Sequence, residues 1–87
     1  MLGGHSQSEP ANDEVTQMVN SVRNKIESHM NAQYPVLEAV SFTRQVVAGT
    51  NFVVKVHVGQ QQHISVKIFR PLPCNGSELE VTEVFAL

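Results

Sequence analysis

Residues 36 to 58 constrain the fold of this chain more than any other stretch. Val36-Leu37-Glu38-Ala39-Val40-Ser41-Phe42-Thr43-Arg44 and Thr50-Asn51-Phe52-Val53-Val54-Lys55-Val56-His57-Val58 are two runs that alternate apolar and polar side chains. Between them lie only five residues, Gln45-Val46-Val47-Ala48-Gly49. A period of two marks a half-buried strand, and two such runs joined by a short connection read as an antiparallel hairpin. The connection itself is unusual. Turns favour Gly, Pro, Asn, Asp and Ser for local backbone reasons. A tip of Val-Val-Ala offers little to water and is unfavourable unless it is buried or met by a partner.

Two more alternating runs follow. Ile64, Val66 and Ile68 alternate with Ser65 and Lys67 in a strand over about 62–70, and Leu79, Val81 and Phe85 define one face of a last strand over about 78–85. In the second strand Phe52, Val54, Val56 and Val58 face one way, and Val53, Lys55 and His57 the other. One face is apolar and one is wet, as antiparallel sheets allow. Upstream, Val15, Met18, Val19, Val22, Ile26 and Met30 recur at spacings of three and four, the stripe of an amphipathic helix. Asn12 or Asp13 caps its start. The sequence therefore predicts one α+β domain over 1–87. Residues 1–11 form a flexible N-terminal trunk, 12–31 one long helix, and 36–87 a four- to five-stranded antiparallel sheet covered by that helix.

Eighty-seven residues leave no room for a second core. A net charge of -2, with scattered Lys and Arg, gives no basic stripe for nucleic acid. No apolar run reaches membrane-spanning length. The first residues, Met-Leu-Gly-Gly-His-Ser-Gln, lack the basic and apolar regions of a secretory leader. The single cysteine, Cys74, excludes an internal disulfide. Together these features give an expected cytoplasmic location, without membrane or nucleic-acid partners.

Topology adds a functional constraint. In an up-and-down meander, alternate turns lie at the same end of the sheet. The Val46 to Gly49 turn and the Pro71-Leu72-Pro73-Cys74-Asn75-Gly76-Ser77 loop therefore share one end, and the Gly59 to Gln62 turn lies at the other. Two apolar loop tips side by side make a narrow edge suited to a cleft.

Gln45-Val46-Val47-Ala48-Gly49 followed by Thr50-Asn51 and Lys55-Val56-His57-Val58-Gly59 closely resembles the first binding loop and following strand of the stefins, the type 1 cystatins. Gly3-Gly4, Ser6 and Pro10-Ala11 resemble a stefin trunk, Leu37 to Phe42 the strand before the loop, and Leu72-Pro73 the second hairpin loop. The resemblance spans nearly the whole chain. It implies a cystatin-like fold and reversible, tight-binding, competitive inhibition of papain-like cysteine proteases of the cathepsin L, B, H and S class. The implied contact residues form a three-part wedge. Leu2, Gly3 and Gly4 lie in the non-primed subsites, Gln45, Val46, Val47, Ala48 and Gly49 at the centre, and Leu72, Pro73 and Cys74 on the primed side. The absence of disulfides matches stefins rather than their secreted relatives. The chain departs from the stefin pattern by ending at Leu87, so a tail packed back on the sheet is expected to be missing.

Three rival readings are weaker. His57 and His63 are equidistant from Gln60 and could pair across the second hairpin. Two imidazoles without a nearby Cys, Asp or Glu make a poor zinc site, so solvent-facing strand histidines are expected, with no metal and no cofactor. Cys74 could suggest a thiol nucleophile, but nothing is placed to orient a base, so no enzyme and no catalytic residue is expected. A cystatin-fold interaction scaffold without inhibitory activity is the alternative function. The chain is expected to be mainly monomeric. Exchange of strands at Val46-Val47 would give a domain-swapped dimer, and oxidation of Cys74 a disulfide-linked one.

Overall fold

The helical layer starts where Asn12 supplies a cap. Its Oδ1 accepts from the Val15 amide at 2.9 Å, and Asp13 and Glu14 follow in the first turn of α1, which spans Asp13–Ser21. Where periodicity implies one continuous helix, a second segment, α2 (Arg23–Met30), follows after a break at Val22, with φ -106° and ψ 17°. The break is local. Val22 N–H still donates to the Met18 carbonyl and Ile26 N–H to the Val22 carbonyl. The Ser21 hydroxyl donates back to the Met18 carbonyl at 2.9 Å, a bond of the kind that bends helices. Val15, Met18, Val19, Val22 and Ile26 stay on one stripe and are all buried. Asn31 ends α2 in the left-handed region, and Ala32 N–H donates to the Glu27 carbonyl. Glu27 then accepts from the Tyr34 amide at 2.8 Å, while Arg23 donates to the Tyr34 carbonyl, which pins the connection to the sheet.

The computed structural model describes residues 7–73 and 78–87. Its strands are β1 (Glu9–Pro10), β2 (Glu38–Val47), β3 (Gly49–His57), β4 (His63–Arg70) and β5 (Glu80–Ala86). They pair in sequence order as one antiparallel sheet. Glu9 and Pro10 fall within the stretch read as a trunk, and they add a short edge strand against Phe42 and Ser41. An edge suits Pro10, which has no N–H for a second neighbour. Both helices cover one sheet face, giving a two-layer α+β architecture. Phe52, Val54, Val56, Val66 and Ile68 are fully buried beneath them. Lys55 on the other face is exposed.

Two bulges redirect side chains. Ala39 pairs with Val56 and Ser41 with Lys55, leaving Val40 as an extra residue that points to solvent. On β5, Lys67 pairs with Glu83 but Ile68 with Val81, so Thr82 is extra. Strict alternation places Leu79, Val81 and Phe85 on one face. The bulge corrects this: Val84 stands opposite Val66 and packs on the core, while Phe85 stands opposite Ser65 and is 48% exposed.

Candidate functional site

The first hairpin closes more tightly than its sequence suggests. Val46 pairs with Thr50 and Val47 with Gly49, leaving Ala48 alone at the apex. Both valines thus remain strand residues to the end of β2, the conformation that β-branched side chains favour. Neither adopts a positive φ. The reversal is taken up by Gly49, with φ +114°. Val46 is 74% exposed and Val47 44%, and Ala48 is also exposed. Gln45, opposite Asn51, is partly buried at the base of the tip.

Gly49 is required twice over. Its φ lies where a side chain is disfavoured, and its surroundings leave no space for one. A Cβ there would stand 2.7 Å from the Arg70 carbonyl oxygen and 2.7 Å from Cζ of Phe69. This close approach ties the first hairpin to the end of β4, from which the second loop departs. Pro71, Leu72 and Pro73 follow directly, with Leu72 40% exposed and Pro73 exposed. Thr50 pairs with Arg70, so the two tips emerge side by side, as the meander requires.

Arg70 and Phe69 belong to this edge and were not among the residues expected there. Arg70 Nη1 lies 3.4 Å from Glu14 Oε2 in α1, and its guanidinium sits 5.0 Å from the centroid of the buried Phe52 ring. The pair with Glu14 is exposed and weak. The stacking over Phe52 anchors the same residue to the core. The only hint in the sequence is an arginine ending an apolar alternation just before a proline.

The tips carry no titratable group over 45–50 or 71–73. The tips themselves are therefore neutral, apolar and protruding. Of the seven large hydrophobic residues exposed among the described residues, Val46, Val47 and Leu72 are gathered here. Single exposed apolar residues elsewhere are ordinary, but a cluster on two adjoining tips is not. β1 runs antiparallel to β2, so its N-terminal end faces this same end of the sheet. Of the residues expected to complete the site, Leu2, Gly3, Gly4 and Cys74 lie outside the described residues.

The opposite end differs. The turn from Gly59 to Gln62 closes through a 2.8 Å bond from Gln62 N–H to the Gly59 carbonyl, with Gln60 and Gln61 at positive φ. His57 and His63 pair directly across the hairpin beside it. Among the described residues, no group of three His, Cys, Asp or Glu side chains is assembled for a metal. No helix among them is long and apolar enough to cross a membrane.

Sequence comparison bears on this architecture. A family model described as the cystatin domain matches residues 3–84. Cystatin-B of Pan troglodytes is 39% identical over 82 residues, covering 94% of this chain and 84% of that protein. Cystatin-A1 of Sus scrofa is 37% identical over 82 residues, covering 94% and 80%. Cystatin-B of Paralichthys olivaceus is 33% identical over 84 residues, covering 97% and 86%.

Proposed function

This chain belongs to the cystatin family and is of the stefin type, and from that premise we propose that it inhibits papain-like cysteine proteases with its apolar hairpin edge. The observation that carries the reading is the exposed pair Val46 and Val47 beside Leu72 on tips without charge. Such an edge fits a narrow apolar cleft. Burying a valine or leucine side chain contributes roughly 1.5–3 kcal/mol before the costs of association are subtracted. Those costs are lowered here, because the first tip is held by sheet pairing and by the contact of Gly49 with Arg70 and Phe69 at the base of the second.

In this reading Gln45, Val46, Val47, Ala48 and Gly49 occupy the centre of the protease cleft. Leu72, Pro73 and Cys74 contact the primed side. Leu2, Gly3 and Gly4 extend from the β1 edge into the non-primed subsites. Val46 and Val47 stay in sheet pairing up to a one-residue apex, which does not favour an extended peptide bond entering the catalytic site as substrate. The chain acts as an inhibitor and not as an enzyme, in the cytoplasm, against cathepsins of the L, B, H and S class. Purified protein titrated into active papain should abolish hydrolysis of a small substrate at a one-to-one ratio. Mass spectrometry of the recovered inhibitor should show an intact chain. Papain left fully active by an excess of folded protein would sink the proposal and favour a scaffold role.

The monomer is the active form in this reading. A dimer formed by opening the Ala48 apex, so that β2 and β3 run on as one strand and the helices and β2 pack onto a second copy, or by a Cys74 disulfide, would alter or hide the wedge. Such dimers, separated by size exclusion, should inhibit papain less than the monomer. Equal inhibition by both species would rule out the apex as the point of exchange.

A further inference from the structure

We propose a surface site for a divalent late transition metal, built by His57 and His63 at the end of the sheet away from the hairpin tips. The two residues are cross-strand partners on β3 and β4. Their ring centroids lie 5.3 Å apart, with the rings tilted by 50°. Both rings are partly exposed, on the face that the helices do not cover.

The spacing fits a chelate. An ion bound to one nitrogen of each imidazole at about 2.0–2.1 Å, with an angle between square-planar and tetrahedral, holds the ring centroids about 4.5–5.2 Å apart. The observed separation meets the tetrahedral end of that range with a shift of a few tenths of an ångström. Adjacent strands supply the pair without cost in loop entropy, because the sheet already fixes the register. Neutral imidazoles are good ligands for zinc, copper and nickel and poor ones for magnesium or calcium.

The sheet also brings an acid that sequence spacing hides. Glu38 on β2 stands opposite His57 in the register, so Glu38, His57 and His63 form a row across three adjacent strands. Glu38 is exposed on that row, where its charge favours a cation near the two rings, but the three side chains are not assembled as one ligand set, so the two histidines alone hold the ion. Its charge also opposes that of Lys55, the next residue along β3 on the same face. Water completes the coordination shell, which makes the site an open, modest-affinity chelate rather than a closed structural one.

Position gives the site a consequence. His57 and His63 flank the turn in which Gln60 and Gln61 both hold left-handed backbone, with φ 51° and 62°. Such residues are costly outside glycine. An ion bridging the two histidines clips this hairpin at its base and stabilises the folded state by mass action. The protease-binding edge is at the other end, so inhibition should be unaffected.

Thermal melts with Zn2+, with Mg2+ as the hard-cation control, test the proposal. Zn2+ at about ten times its Kd should raise Tm by roughly 5–10 °C. Mg2+ should not. His57→Gln and His63→Gln should each abolish the shift, Glu38→Gln should reduce it, and His29→Gln should leave it intact. Papain inhibition should be unchanged in all four, which also reports that each variant is folded. In the unmodified chain, Ni2+ should broaden the NMR signals of residues near 57 and 63 before those near 46–49. A Zn2+ shift that survives both histidine substitutions, no shift at millimolar Zn2+, or broadening centred on His29 or His5 would overturn it.

Discussion

The two ends of the sheet solve the problem of reversing a strand in opposite ways. At the Gly59 to Gln62 end, polar glutamines occupy left-handed backbone, and the local cost is accepted in exchange for a solvated turn. At the Val46 to Gly49 end, the apolar residues keep relaxed strand pairing, and the reversal falls on a glycine that is buried. The first arrangement suits water. The second leaves Val46 and Val47 facing water with nothing gained there. Backbone economy at one end and side-chain economy at the other identify the apolar end as the one shaped for a partner.

The glycines offer the sharpest way to break this comparison. Gly49 and Gly59 both have positive φ, at +114° and +98°. Their surroundings differ. A Cβ on Gly59 would meet only Val36, at 3.8 Å, whereas one on Gly49 would strike backbone and an aromatic ring at 2.7 Å. Gly49→Ala should destabilise the fold by about 2–4 kcal/mol, lowering Tm by more than about 10 °C. Gly59→Ala should cost only about 1 kcal/mol. Thermal melts of both variants decide this, and equal losses would mean that the contact between the hairpins is not tight.

A smaller effect on the fold, but a large one on binding, is expected at the apex. Val46→Asp changes a side chain that is 74% exposed, so stability should move by less than about 0.5 kcal/mol. Papain affinity should fall about 100-fold, or about 2.7 kcal/mol, if this side chain is buried in the complex. Unchanged inhibition constants would remove Val46 from the interface.

The trunk comes last. Deleting residues 1–4 removes Leu2, Gly3 and Gly4 and leaves in place every core residue among the described residues. Dissociation from papain should quicken by roughly tenfold, with Tm unchanged. A parallel fall in Tm would assign the segment a structural role instead.

Much of this architecture was legible in the residues. The stripe from Val15 to Ile26 and the alternation of Phe52, Val54 and Val56 bury their side chains, and Met30 at the end of the stripe packs partly buried against them. Those signals are strong because they repeat. The features that sequence hid are single events without a period. Val40 and Thr82 are inserted by bulges, and the second of these turns Phe85 outward and Val84 inward. Val22 interrupts the helical backbone while its side chain stays on the stripe. Pro10 falls in the stretch read as a flexible trunk, yet serves at an edge where a missing N–H does no harm. At the site, the apolar tip announced itself by its composition. Arg70 did not, because its role depends on Glu14, Gly49 and Phe52, which are distant in sequence.

Hydrogen exchange in the complex with papain tests the central claim most directly. With the protease bound, the amides over 45–50 and that of Leu72 should be protected relative to the free chain, and those over 59–62 should exchange at an unchanged rate. Protection at 59–62 or along α2, with the Val46 to Gly49 tip still exchanging freely, would contradict the account.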